Sequence, residues 1–492
     1  MESKILFLLA ASFLAAHSSV ADGKAALWID EPSMWCAPKT YEADEPNPEG
    51  VKSVVIEGEM YKGVRTRFFA WWALPKGASA TNRAPGIVLV HGGGGTAFSS
   101  WVKLWADRGY AAIAMDTCGG FPKSMKALGG KLRHAYSGPN GWGEKIFPLA
   151  DDPPKDQWPY HAISTVIRSH SFLRSLPEVD TDRIGLTGIS WGGYLTACTA
   201  GIDDRFAFAV PVYACAFLKD HSVWSAQLAS LGEKGIRWDR LWDARNFLPS
   251  AKMPILWVTG SNDYFFPLDS LQRGYDLLPK APRLAVRVRM PHGHPPAGDP
   301  SEIKAFADHF AFGKPALPEI SMSVEGRRLS AGWNGYGRKA VLSELIFTVS
   351  PDNEWRKREY KALPVPFADG KLSAEIPDGA LLCWVNVTFD DGIVASSRHR
   401  EIAGERPIAA GPKTYDCSVK REFFVSPGGD DAADGSAADP CRLECNWIVP
   451  AGFWKIDKLR GGCSIKTPAD SQRPDFTPGL AEFTVFGIPL EQ

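Results

Sequence analysis

Gly188-Ile189-Ser190-Trp191-Gly192 is a G-x-S-x-G sequence set between the strand-like run Arg183–Thr187 and the stretch Gly193-Tyr194-Leu195-Thr196-Ala197. In a strand–turn–helix context such a serine sits on a strained elbow that presents its hydroxyl as a nucleophile, and the flanking glycines avoid collision with the neighbouring strand and helix. A serine hydroxyl needs a base to take its proton and a third group to orient that base. Asp263, in Gly260-Ser261-Asn262-Asp263-Tyr264-Phe265-Phe266-Pro267, follows the apolar run Pro254–Thr259 and supplies a carboxylate. Pro291-His292-Gly293-His294 follows the run Arg283–Met290 and supplies imidazole. His294 is the expected base, because it follows Gly293 in a loop long enough to swing back toward Ser190; His292 is the alternative base. A His-x-His metal pair is a further reading, but it lacks a nearby third ligand with its own rationale.

Acyl transfer also needs donors for a developing oxyanion. His91-Gly92-Gly93-Gly94-Gly95 follows the apolar run Gly86–Val90, and glycines let backbone N–H groups approach such an oxygen closely. The amides of Gly92, Gly93 and Trp191 are the expected oxyanion hole. A phosphate cradle is the competing reading of the glycine run, but no Gly-Lys-Ser/Thr follows it and dinucleotide spacing is not convincingly present. The chemistry requires no cofactor and no metal.

These residues need a scaffold that brings several strand ends together. From about Lys52 to Phe312, short β-branched runs alternate with longer amphipathic stretches, the pattern of βαβ units on a doubly wound, mostly parallel sheet. The expected strands are Pro85–Val90, Ala111–Asp116, Arg183–Ser190, Phe206–Ala214, Pro254–Thr259 and Arg283–Met290. The expected helices are Ala97–Asp107, Tyr160–Ser175, Leu268–Leu278 and Ser301–Phe312. Each chemical element follows one of those strands. Two intervals, 119–159 and 217–249, are too long for simple connections and are rich in Trp; ligand crevices of open α/β sheets lie outside the carboxyl ends of the strands, so these insertions are placed to wall a cleft. Trp142, Trp224 and Trp238 are the candidate substrate contacts, against the plainer reading that the tryptophans only fill a core. After Lys314-Pro315 the runs are short and alternating, which predicts a small β-sandwich over 317–402 and a β-rich segment of uncertain fold over 403–492. The α/β domain spans 22–316.

Four elements stand in the order oxyanion glycines, Ser190, Asp263, His294, each just after an expected strand. From about Val51 to Phe312 the chain resembles the α/β-hydrolase superfamily, and within it the acetyl xylan esterase and cephalosporin-C deacetylase group and its prolyl-oligopeptidase-like relatives. The residues that carry the resemblance are His91-Gly92-Gly93-Gly94, Gly188-Ile189-Ser190-Trp191-Gly192-Gly193-Tyr194, Asp263 with Pro267, and Gly293-His294. The resemblance implies that Ser190 attacks a carbonyl, that His294 takes and returns its proton, and that Asp263 holds the imidazole. Esterase and peptidase share this machinery. Prolyl-oligopeptidase relatives gate their site with a large N-terminal propeller, and several blades of about 40–45 residues do not fit between Asp22 and Pro85. The expected activity is therefore removal of acetyl or other small acyl groups from a carbohydrate. A serine peptidase and a catalytically inactive carbohydrate-binding protein are the alternatives.

Composition narrows the partners. The 492 residues carry 55 Lys and Arg against 56 Asp and Glu, a net charge of −1, which disfavours a nucleic-acid binder resting on bulk positive charge. Lys4, the apolar run Ile5–Ala16 and the small-residue site Ser19-Val20-Ala21 read as an export leader cleaved before Asp22, with an N-terminal membrane anchor as the competing reading. No later segment is long and apolar enough to span a bilayer, so the mature chain is expected to be soluble and periplasmic or extracellular. Nine cysteines leave at least one unpaired. Cys198 and Cys215 sit in apolar contexts as buried hydrophobes, whereas Cys417, Cys441, Cys445 and Cys463 are the candidate disulfide partners. The oligomeric state is not specified by the sequence.

Overall fold

The computed structural model describes residues 27–402, apart from 29, 44, 123–132, 142–145, 215, 295–297 and 352–354, together with four two-residue strands beyond them. The proposed leader, Trp142, Cys215 and most of 403–492 lie outside the described residues. Two compact units divide the chain, Met1–Gly411 and Pro412–Gln492. In the second, β19 (Val425–Ser426) pairs in parallel with β20 (Cys441–Arg442), and β21 (Lys458–Leu459) pairs antiparallel with β22 (Ala481–Glu482).

The first unit is built on nine strands: β1 (Thr40–Tyr41), β2 (Lys52–Tyr61), β3 (Val64–Ala73), β4 (Ala84–Val90), β5 (Ala111–Met115), β6 (Val179–Ile189), β7 (Phe208–Val212), β8 (Leu256–Gly260) and β9 (Arg283–Arg287), in the spatial order β1-β2-β3-β5-β4-β6-β7-β8-β9. From β5 onward every neighbour pair is parallel. Burial explains the division. All seven residues of β4 are buried, as a strand covered by helices on both faces must be. β2 instead alternates buried and accessible residues and pairs antiparallel with β3. Their connection is Lys62-Gly63, both at positive φ (48° and 82°), as a two-residue turn matched to strand twist requires.

Helices α1 (Ser99–Asp107), α2 (Trp158–Arg174), α3 (Trp191–Ala200), α4 (Leu218–His221), α5 (Ser225–Ser230), α6 (Glu233–Trp242), α7 (Leu268–Tyr275) and α8 (Ser301–Phe312) cover this sheet and its strand ends. Every residue of α3 is buried, and its small side chains let it lie tight against β6 and β7. The interval 217–249 folds into α4–α6. Among the described residues no helix is long and apolar enough to cross a membrane.

Two antiparallel sheets complete the unit. One runs β10 (Ile320–Glu325), β11 (Arg328–Trp333), β15 (Lys371–Glu375), β14 (Phe367–Ala368). The other runs β13 (Lys361–Pro364), β12 (Ala340–Thr348), β16 (Leu382–Phe389), β17 (Val394–Ser396), with β18 (Arg400–Glu401) also on β16. β16 shows almost no alternation of burial because both of its faces are covered. Val385 and Val387 belong to the cluster that includes Leu329 and Leu372 of the other sheet, whereas Trp384 and Leu382 pack with Leu268 of α7 and Val286 of β9. The sandwich also caps the edge strand β9: the Val286 N–H donates to Ser396 Oγ (2.8 Å) and Asn386 Nδ2 donates to the Val286 carbonyl (3.0 Å). Satisfying an exposed sheet edge in this way removes a site for unwanted strand pairing. Among the described residues Cys36 is exposed, whereas Cys118, Cys198 and Cys383 are buried.

Candidate active site

Ser190 links β6 to α3 at φ 59° and ψ −120°, a conformation that a residue with a Cβ adopts at a cost of about 1–3 kcal/mol. The elbow is held by its backbone, with Ser190 N donating to the Val212 carbonyl and Tyr194 N to the Ser190 carbonyl, both at 2.9 Å. The glycines around it leave no room for side chains. A Cβ on Gly188 would sit 2.2 Å from the Gly192 carbonyl oxygen, and one on Gly192 would sit 2.1 Å from the Val90 carbonyl oxygen. The expected elbow context is thus physically enforced by β4 on one side and α3 on the other.

His292, not His294, stands between the serine and the carboxylate. Its Nε2 lies 2.9 Å from Ser190 Oγ and its Nδ1 lies 2.6 Å from Asp263 Oδ2. A carboxylate only accepts, so Nδ1 carries the proton and Nε2 is left to accept from the serine hydroxyl. The Asp263 side chain is fully buried while His292 remains partly accessible. The N–H groups of Phe265 and Phe266 donate to Asp263 Oδ1 at 2.9 and 2.8 Å, leaving Oδ2 for the imidazole.

The choice of His294 is therefore corrected. Its ring packs 4.2 Å from Phe98 and 4.8 Å from Trp101 between ring centres, away from Ser190. Burial in this apolar box, with a smaller contribution from His91, pushes its pKa down to about 4, and its Nε2 has no hydrogen-bond partner among the described residues. The His-x-His metal pair fails for the same reason, since the two rings serve different partners. No cluster of three or more potential metal ligands occurs among the described residues.

Tyr213 decides between the two histidines, and sequence reasoning missed it. It follows β7 at φ 51°, stacks 4.6 Å from the His292 ring and donates its hydroxyl proton to the Pro291 carbonyl at 2.7 Å. Burial raises the phenol's pKa, which keeps it a donor. With Phe265 at 4.5 Å on the imidazole, the pair of rings fixes both the position and the tilt of His292. The available signal was topological: Tyr213 stands at the carboxyl end of a strand adjacent to the Ser190 strand.

The glycine loop after β4 lies against the same serine. A Cβ on Gly92 would come within 3.1 Å of Ser190 Cβ, and one on Gly93 within 2.4 Å of Trp191 Cδ1. Trp191 opens α3, where N–H groups have no intrahelical partner. His91 pins the loop: its Nδ1 donates to the Gly92 carbonyl at 2.7 Å, and its Nε2 accepts from Thr117 N at 3.0 Å. The backbone of Gly92 and Gly93 is thus placed beside the Ser190 hydroxyl and the start of α3.

The tryptophans divide. Trp224 is half-buried, 4.5 Å from Trp191 and 5.7 Å from Phe265, and so borders the site. Trp238 is completely buried against Phe147 and Tyr194, which corrects its assignment to substrate contact. On α6 it shares a buried face with Trp242, so the plainer reading of a core tryptophan holds there.

Residues 45–230 match the acetyl xylan esterase family model, and residues 152–318 match the prolyl oligopeptidase family model. The chain is similar to the probable dipeptidyl-peptidase 5 of Emericella nidulans, 27% identical over 222 residues that make up 43% of this chain and 28% of that protein. It is similar to the dipeptidyl-peptidase 5 of Aspergillus fumigatus at 26% identity over 281 residues, 52% of this chain and 36% of that one. It thus spans well under half the length of these curated relatives. Among solved structures it is similar to an acetyl xylan esterase from Paenibacillus sp. R4, with 22% identity and a TM-score of 0.42, covering 56% of this chain and 87% of that chain.

Proposed function

Residues 45–318 belong to the α/β-hydrolase superfamily of serine hydrolases, and from that premise we propose that the chain hydrolyses carboxylic esters, with acetyl or another small acyl group leaving a carbohydrate alcohol. The observation that carries the proposal is the bridge of His292 between Ser190 Oγ and Asp263 Oδ2 at 2.9 and 2.6 Å.

In this mechanism Ser190 Oγ attacks the ester carbonyl as His292 Nε2 takes its proton, and Asp263 stabilises the imidazolium so formed. The amides of Gly92, Gly93 and Trp191 receive the oxyanion, an electrostatic contribution of about 10²–10³ in rate per donor. His292 then hands the proton to the departing alcohol, leaving an acyl group on Ser190. Water, deprotonated by the same imidazole, releases the acid and restores the enzyme. The half-buried faces of Trp224 and Phe265 are the surfaces on which a sugar ring would rest. Export belongs to the proposal on the strength of the apolar run Ile5–Ala16 and Ser19-Val20-Ala21.

A serine peptidase is the second reading, favoured by the prolyl oligopeptidase match over 152–318, which contains Ser190, Asp263 and His292. A panel of p-nitrophenyl esters of rising chain length beside aminoacyl p-nitroanilides, each measured with the full chain and with Ser190→Ala, separates the two. Fast acetate cleavage lost in Ser190→Ala is the expected result. Cleavage confined to the anilides would replace the esterase by the peptidase, and an absence of Ser190-dependent turnover on every substrate would leave a binding protein.

A further inference from the structure

The acid of the triad is flanked on both sides by residues that reach the sandwich. Asn262, just before Asp263, donates from Nδ2 to the carbonyls of Arg356 and Arg358 at 2.9 and 2.7 Å. Tyr264, just after it, lies under the Arg356 guanidinium, 4.2 Å from the ring centre. The receiving turn, Trp355–Lys357, precedes β13 and is closed by Arg358 N donating to the Trp355 carbonyl at 3.2 Å. It is seated by Trp355 and Tyr360, which are buried in one apolar cluster with Leu268 of α7, Val286 of β9 and Trp384 of β16.

Ser261 ties this contact to the loop that carries the base. Its Oγ donates to Asn262 Oδ1 at 2.7 Å and accepts from Arg289 N at 2.9 Å, while its own N–H donates to the Arg287 carbonyl at 3.0 Å. The bond on Oδ1 dictates which end of the Asn262 amide faces the sandwich, because it leaves the NH₂ group, a pure donor, against two carbonyls. Arg289, in the stretch that leads to His292, stands at φ 55°, a backbone conformation that a residue with a Cβ keeps only where its surroundings impose it. Ser261 is buried, so these bonds form away from bulk water, where they are electrostatically stronger.

The 2.6 Å bond between Asp263 and His292 joins two different loops, and its geometry follows from where those loops stand. The amides of Phe265 and Phe266 hold the carboxylate within its own loop, whereas Ser261 and Asn262 hold that loop against its neighbours. We propose that Asn262 is a positioning residue for the Asp263–His292 pair, and that through it the sandwich is a working part of the hydrolytic site. This rests on Ser190, His292 and Asp263 acting as the triad. The role is separable from docking, since the sandwich is also held by Ser396 and Asn386 on β9, by Val394 N donating to Glu302 Oε1 of α8 at 2.7 Å, and by His399 N donating to Gln272 Oε1 of α7 at 3.1 Å. Loss of the two Asn262 bonds therefore loosens the acid without undocking the sandwich, and a misplacement of about 1 Å is enough to cost about 10² in rate.

The test replaces Asn262 in the full chain by Asp, which turns an acceptor toward the two carbonyls, and by Ala, which removes both bonds without adding a charge. Three readouts are taken: steady-state hydrolysis of p-nitrophenyl acetate, thermal unfolding, and the low-field proton resonance of the short Nδ1–H···Oδ2 bond, assigned by its absence from His292→Ala. In both variants kcat and kcat/KM are expected to fall together by about 10–10²-fold, as they do when an interaction made in the transition state is lost. The resonance is expected to move upfield or broaden, and the unfolding midpoint to drop by only a few degrees. A folded variant with kcat within about twofold of wild type and an unchanged resonance overturns the proposal, and the triad stands because wild type still turns over through Ser190. Failure of both variants to fold makes Asn262 a residue of the fold and overturns the proposal as well. Absence of Ser190-dependent turnover in wild type overturns the triad reading instead, and the resonance then decides: one present in wild type and altered in both variants supports the positioning role, and one absent from wild type or unchanged in the variants refutes it.

Discussion

Replacing Asp263 by Asn exchanges an acceptor for a donor at the atom that faces His292 Nδ1 across 2.6 Å. The direction of the new amide is dictated by the backbone. Oδ1 accepts from Phe265 N and Phe266 N at 2.9 and 2.8 Å, so the Asn carbonyl oxygen stays there and its NH₂ group turns to the imidazole. Nδ1 must then accept, the ring proton moves to Nε2, and the nitrogen 2.9 Å from Ser190 Oγ no longer takes the hydroxyl proton. The wrong tautomer costs up to about 10⁴ in kcat in triads of this geometry, which is about 5.5 kcal/mol of transition-state stabilisation. Asn is nearly isosteric with Asp in a fully buried position, so the thermal midpoint is expected to move little. The assay is p-nitrophenyl acetate hydrolysis by wild type and Asp263→Asn at pH 7, beside thermal unfolding of both. Turnover within about tenfold of wild type in a folded Asp263→Asn protein would refute the assignment of the acid.

The other predictions concern the base, the oxyanion loop and the buried histidines. His292→Ala is expected to lower kcat by at least about 10⁴, whereas His294→Ala leaves kcat within about threefold and lowers stability by about 1–3 kcal/mol through loss of packing against Phe98 and Trp101; steady-state kinetics and denaturant unfolding separate the two. Gly93→Ala places a Cβ 2.4 Å from Trp191 Cδ1 and is expected to reduce kcat about 10²–10³-fold, measured against an unchanged rate constant for spontaneous hydrolysis. Burial, the largest influence on each, pushes His161 and His399 down to about 4 from the ordinary 6.5. The folded state excludes a proton that the unfolded chain accepts. Their stabilisation is therefore present above pH 6.5 and is lost as pH falls from 6.5 to about 4, by about 3 kcal/mol for each group. Urea midpoints measured across that range should fall, and fall less steeply in His399→Gln.

Much of this site was legible because its parts are local. The G-x-S-x-G elbow, the glycine loop and Asp263 each follow a strand whose apolar run is continuous, and their geometry is enforced within a few residues, as the 2.1 Å approach of a Gly192 Cβ to Val90 illustrates. The hairpin β2–β3 was not drawn from the sequence although the Lys62-Gly63 turn offered a cue. His292 and His294 were not separable, since both follow the same strand in one tetrapeptide. What separates them is remote in sequence: the Tyr213 hydroxyl on the Pro291 carbonyl and the Phe98–Trp101 box around His294. Trp238 was misread because a Trp-rich insertion over strand ends suggests a binding wall. The spacing of Trp238 and Trp242, one helical turn apart, carried the signal of a buried helix face. The docking of the sandwich against β9, through Ser396 and Asn386, is likewise encoded by no local pattern.

The central claim is that Ser190 is a nucleophile activated by His292. Its most direct test is reaction of the full chain with a fluorophosphonate, followed by peptide mass spectrometry. The account predicts stoichiometric addition of the phosphonyl group to Ser190, at a rate that collapses in His292→Ala and persists in His294→Ala. Folded protein that stays unlabelled, or label on another residue that is indifferent to His292, would contradict it.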